Sequence, residues 1–174
     1  MAEFINPQEG FFKEGYFPNV GNTMLEVYRL LTIFLASKNF ASLLTNYPGE
    51  GFDPIYKVQE VEEDEITRLL LTLSITARVI DDRENLIFKN ISSPCGTLQA
   101  NLDNETVIQL NLREACNKII HAKKIHFDVE GRDMLAYLNP FIYIYGESSN
   151  GRAWKATLDI ITFAKEYSLV LSKV

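Results

Sequence analysis

Cysteine is scarce in this chain of 174 residues, with Cys95 and Cys116 alone. Two thiols make neither a disulfide framework nor a Cys-rich zinc site. Histidine is equally scarce: His121 and His126 stand five positions apart, with no carboxylate or thiol to complete a ligand set. No metal and no cofactor are therefore expected. Positive charge is in deficit, since 17 Lys and Arg face 23 Asp and Glu, giving a formal net charge of −6 and a pI near 5.0. That balance excludes a broadly basic nucleic-acid-binding surface and leaves room only for a local patch. No apolar run reaches the roughly 18 residues that a membrane span needs. Residues 1–20 mix Glu, Lys and Pro with their Phe residues, and they lack the basic start and apolar run of a signal peptide. The expected setting is a reducing cytoplasm, away from membranes.

What is present is apolar and aromatic. Hydrophobic residues make up 47% of the chain, which excludes general disorder. The length suits one domain with a real core, spanning 1–174. Residues 1–20, with Pro7, Phe11, Phe12, Phe17 and Pro18, read as an aromatic N-terminal arm. Asn22 or Thr23 can cap a first helix over about 22–46, carrying Met24, Val27, Leu31, Phe34 and Leu35 at helical spacing. A second helix, over about 60–82, opens on Glu60, Glu62, Glu63, Asp64 and Glu65, where acidic groups complement the free amides. Residues 81–104 read as a connector, with a short strand at Leu86-Ile87-Phe88. Asn111 and Glu114 form a capping-box pair that starts a third helix over 112–122. Beyond it Ile125, Phe127 and Val129 alternate, a hairpin is expected over about 135–158, and the tail from Asp159 returns to helical period. The expected fold class is α+β but mainly α: a bundle of three or four helices with a C-terminal β-hairpin and a terminal helix.

The third helix carries the one constellation suited to chemistry. Arg113, Asn117 and His121 follow at steps of four, which holds them near one ridge with a drift of about 40° per step. A guanidinium can grip phosphate, an imidazole can move a proton near neutral pH, and an amide can orient either. Lys118, Lys123, Lys124 and His126 add local positive potential and are candidate RNA contacts. The same ridge reads equally as a buried polar network, a dimer contact, or a helix end capped by His121. Cys116 reads as packing and Trp154 as a hairpin anchor.

The run Leu112-Arg113-Glu114-Ala115-Cys116-Asn117-Lys118-Ile119-Ile120-His121-Ala122 resembles the motif helix of HEPN-domain proteins. These are small helical bundles, often dimeric, found in bacterial toxin–antitoxin, defence and RNA-processing systems. Asn117 through His121 matches the second part of that motif, whereas Cys116 stands where its Arg belongs. The resemblance implies a homodimer and one of two roles. The first is a non-catalytic module that binds a protein or RNA partner. The second is a metal-independent ribonuclease in which a ribose 2′-hydroxyl attacks the adjacent phosphate. There His121 would be the acid/base or orienting group, Asn117 its support and Arg113 the phosphate binder. Cys116 at the Arg position favours the first role.

Overall fold

The computed structural model describes residues 18–44, 54–83, 88, 93–131 and 135–173. Nearly all of the expected N-terminal arm, and Leu86 and Ile87 of the expected short strand, lie outside these residues. The first helix, α1 (Val20–Leu44), starts earlier than Asn22 or Thr23 would place it. Asn19 is the residue that caps it. Its side-chain oxygen accepts from the Asn22 amide at 2.9 Å, and its carbonyl accepts from the Thr23 amide and hydroxyl at 3.0 Å. A short α2 (Pro54–Gln59) precedes α3 (Glu62–Arg83), whose first turn holds four carboxylates. The inward stripe of α3 is Ile66, Leu69, Leu70, Leu73, Ala77 and Ile80, as its period indicates. On α1 the inward stripe is Val27, Leu30, Phe34, Ser37 and Ala41, while Leu35 remains 63% exposed.

The second half is a sheet interrupted by one helix. Strands β1 (Pro94–Gln99) and β2 (Val107–Asn111) lead directly into α4 (Leu112–Ile120). Then follow β3 (Lys124–Glu130), β4 (Tyr137–Glu147), β5 (Ala153–Asp159) and the terminal α5 (Ile160–Leu171). All five strands join one antiparallel sheet in the order β2-β1-β5-β4-β3. This corrects the expectation of a mainly helical bundle with one C-terminal hairpin. The hairpin is real, as β4 and β5, but it is the middle of a sheet. The connector read over 81–104 contains β1, whose Pro94, Gly96 and register shift between Pro94 and Gly96 erase any apolar alternation. Strand β2 has three exposed residues in a row before Leu110, so it too lacks the period of a half-buried strand.

One face of the sheet is covered. Leu138, Ile142 and Ile144 of β4, Trp154, Ala156 and Leu158 of β5, and Leu98 and Leu110 join the inward residues of α1, α3, α4 and α5 in one core. Polar groups lock the layers together. The Ser37 hydroxyl donates to Glu62 at 2.9 Å and accepts from the Leu138 amide at 3.0 Å, tying α1 to α3 and to β4. Burial raises the Glu62 carboxyl above its ordinary pKa, opposed by the Ser37 bond. The buried Tyr167 hydroxyl donates to the Leu73 carbonyl at 2.7 Å, and its ring meets the edge of Phe88 at 5.4 Å. The terminal helix is capped by Asp159, which accepts from the amides of Ile161 and Thr162.

Two glycines permit close approaches. A Cβ at Gly96 would stand 2.0 Å from the Thr157 carbonyl oxygen of the neighbouring strand, and one at Gly146 would enter the Trp154 ring. Gly96→Ala should therefore destabilise the fold by about 3 kcal/mol, as overpacking against backbone does, read as a shifted denaturant midpoint. The thiols supply a second expectation. Burial pushes both Cys95 and Cys116 from an ordinary 9.0 up to about 12. The unfolded chain then ionises first, so stability is full below pH 9 and falls as pH rises toward 12. Replacing both thiols with Ala should flatten this alkaline decline relative to neutral pH, measured by urea titration across that window.

Candidate functional site

Helix α4 runs over Leu112–Ile120, with Asn111 as its N-cap and His121 as its C-cap. The Asn111 side chain accepts from the Glu114 amide at 2.8 Å, which is one half of the capping box. The Glu114 carboxylate turns instead to Lys118 at 3.1 Å. Leu112, Ala115, Cys116 and Ile119 face the core, which places Cys116 among packing side chains.

The Arg113–Asn117–His121 ridge divides. Arg113 points at α3, where its Nε donates to Asp81 at 2.5 Å. Asp81 is only 1% exposed, and its other oxygen accepts from the Phe88 amide at 3.0 Å. A carboxylate buried to this degree needs a charged donor, and Arg113 is that donor. Asn117 and His121 lie further round the helix and stay together. They line a cavity of about 400 Å³ with Lys118, Trp154 and the β4–β5 turn residues Glu147, Ser148 and Ser149. His121 is exposed, and its backbone amide closes the helix on the Asn117 carbonyl at 3.1 Å.

The other basic residues named from sequence gather at the same end. Lys118 lies 4.6 Å over the Trp154 ring. Lys123 pairs with Glu147 at 2.6 Å, and its amide bonds the Tyr145 carbonyl at 2.8 Å. Lys124 opens β3 opposite Tyr145, and His126 meets the Tyr145 ring edge-on at 5.6 Å. Lys124 and His126 are both exposed.

Lys124, His126 and Tyr145 also belong to the second face of the sheet, which no described element covers. Buried and outward positions alternate along β4 and β5, and the outward set includes Phe141, Tyr143, Tyr145, Lys155 and Thr157. Lys155 lies 4.8 Å over Tyr143 and 5.9 Å over Tyr145. Asp128 limits this patch on one side, accepting from Asn139 and from the Tyr143 hydroxyl. That nearby carboxylate is the main cause raising the Tyr143 pKa. The sequence reading missed Tyr143, Tyr145, Lys155 and Arg152 as site residues. Strand alternation was a usable signal for the first three, but only the layering shows which face is uncovered.

Charge is unevenly placed. Lys118, Lys123, Lys124, Arg152 and Lys155 gather near Glu114 and Glu147, and the β1–β2 turn with Asp103 and Glu105 joins the same end where the Leu102 amide bonds the Ala153 carbonyl. Five basic groups against four acidic ones leave this end at plus one and the rest of the chain at minus seven. Among the described residues no three His, Cys, Asp or Glu side chains come together as a metal ion requires. No described helix is long and apolar enough to cross a membrane. Arg113→Ala should destabilise the fold by about 3 kcal/mol by leaving Asp81 buried and unpaired, whereas Asn117→Ala should change stability by less than about 1 kcal/mol. Thermal melts of the two variants side by side would check this contrast. No family model, no curated protein and no solved structure matches the chain.

Proposed function

We propose that the protein is a non-catalytic module that binds single-stranded nucleic acid across its basic end, with RNA favoured by the resemblance of α4 to the HEPN motif helix. The observation that carries this reading is the joining of a local basic cluster to an uncovered aromatic sheet face, in a chain that is otherwise acidic. Bases stack on aromatic rings without regard to sequence, and Lys and Arg nearby neutralise the phosphates. Tyr143, Tyr145 and His126 supply the stacking surface, while Lys124, Lys155 and Arg152 supply charge. Asp128 repels phosphate and confines the strand to the end where β3 begins. The cavity holding Asn117 and His121 opens beside that end and takes a phosphate or ribose group.

The absence of catalysis rests on Arg113. Its Nε is engaged with Asp81, which turns the guanidinium toward α3 and away from the cavity that holds Asn117 and His121. One observation favours the rival ribonuclease reading: Asn117 and exposed His121 share one open cavity.

The test is fluorescence anisotropy with a labelled, unstructured RNA oligonucleotide at low salt, with the RNA examined afterwards on a denaturing gel. Binding should weaken at least tenfold in Lys124→Glu/Lys155→Glu and in Tyr143→Ala/Tyr145→Ala, and should fall steeply with added salt. The RNA should remain intact. No binding at low salt, or binding indifferent to both variants, would overturn the proposal. Metal-independent cleavage lost in a folded His121→Ala variant would replace it with the nuclease.

A further inference from the structure

A small cavity of about 180 Å³ lies where α2 and the start of α3 meet the end of β3 and the start of β4. Glu60, Glu62 and Glu63 line it. Glu60 already holds Lys57 at 2.8 Å. Glu62 and Glu63 have no cation within ion-pair distance among the described residues. Burial lifts the Glu62 carboxyl above its ordinary pKa, and the neighbouring Glu63 charge pushes it the same way. Acidic residues at a helix start are ordinary, because they complement its free amides. The rest of the lining has another origin. Tyr56 comes from α2 and Tyr137 from β4, and apolar Val129 and Leu138 join them. Gln59 donates to the Ala136 carbonyl at 3.1 Å and ties α2 to the start of β4 at the cavity wall.

We propose that this cavity binds a short aliphatic diamine, with one ammonium against Glu62, the other against Glu63, and the carbon chain along Tyr56, Tyr137 and Val129. Aromatic rings and carboxylates around one cavity recognise organic ammonium, since the ring face attracts the cation and the acid balances its charge. The chain itself shows the pairing at the cavity's border. The Lys38 ammonium lies 5.1 Å over the Tyr137 ring, where its charge also holds the Glu130 carboxyl down. Two uncompensated carboxylates call for two positive charges, which a monoamine lacks. The rings and Val129 call for a carbon chain, which a metal ion lacks. Glu60, Glu62 and Glu63 also do not converge as a metal ion requires. Drug-sized ligands take cavities of roughly 300 Å³ or more, so this one selects a small molecule.

This inference does not rest on nucleic-acid binding. Lys124 opens β3 and Val129 stands near its close, so the two sites lie toward opposite ends of one strand and either can fail alone.

The test is isothermal titration calorimetry of the full chain with 1,4-diaminobutane at low salt, with butylamine, 1,4-butanediol and Mg²⁺ titrated in parallel. The diamine should bind saturably at one site per chain and about fivefold tighter than butylamine, as one further ion pair provides. The diol and Mg²⁺ should give no saturable heat. Glu63→Gln and Tyr56→Ala, both at exposed positions, should each weaken diamine binding about fivefold with an unchanged circular dichroism spectrum. Tyr56→Phe keeps the ring, and Glu105→Gln removes a charge from the β1–β2 turn outside the cavity; both should bind as the wild type does. No saturable binding of the diamine, equal binding of butylamine or Mg²⁺, or binding that survives both Glu63→Gln and Tyr56→Ala would overturn the proposal.

Discussion

A carboxylate with almost no access to water is tolerated only when both of its oxygens accept hydrogen bonds and a positive charge stands against it. Asp81 meets that condition through two partners from separate parts of the chain, the Arg113 guanidinium and the Phe88 amide. The arrangement fixes α4 against α3 at its first turn. It follows that the far end of α4 is aimed at the β4–β5 turn, and that Asn117, Lys118 and His121 meet Glu147, Ser148 and Ser149. The same bond holds the one arginine of the helix by its Nε against α3, with a third of its side chain still exposed. One ion pair thus sets the position of the helix and the direction in which its arginine points.

The parts of the fold that were readable from sequence share a clean period. Helix α3 has an uninterrupted stripe from Ile66 to Ile80 behind an acidic first turn, and the tail beyond Asp159 has Ile160, Phe163, Tyr167 and Val170 on one side. The alternation of Ile125 and Phe127 and the turn at Gly151 marked β3 and the hairpin. Strands β1 and β2 gave no such signal, because a register shift and an uncovered edge both remove the regular contrast between inward and outward residues. Their absence from the reading turned a five-stranded sheet into a bundle with a hairpin.

At the candidate site the local rule worked locally. Steps of four along α4 brought Asn117 and His121 to one cavity. The same rule failed for Arg113 because its partner lies 32 positions away, and no spacing pattern reports a buried acid on another helix. The aromatic face was hidden for a related reason. Tyr143 and Tyr145 look like core residues in an alternating strand, and only the placement of the core helices α1, α3, α4 and α5, among the described residues, on the opposite face leaves them outside.

The two sealed thiols lie in different layers, Cys95 on β1 and Cys116 on α4. An alkylating reagent reaches a sulfur only after the surrounding layer opens, since the reactive thiolate is suppressed while the site stays closed. Labelling at either position therefore reports opening of the one core in which β1 and α4 meet. The chain thus carries its own chemical probe for the seam between sheet and helices.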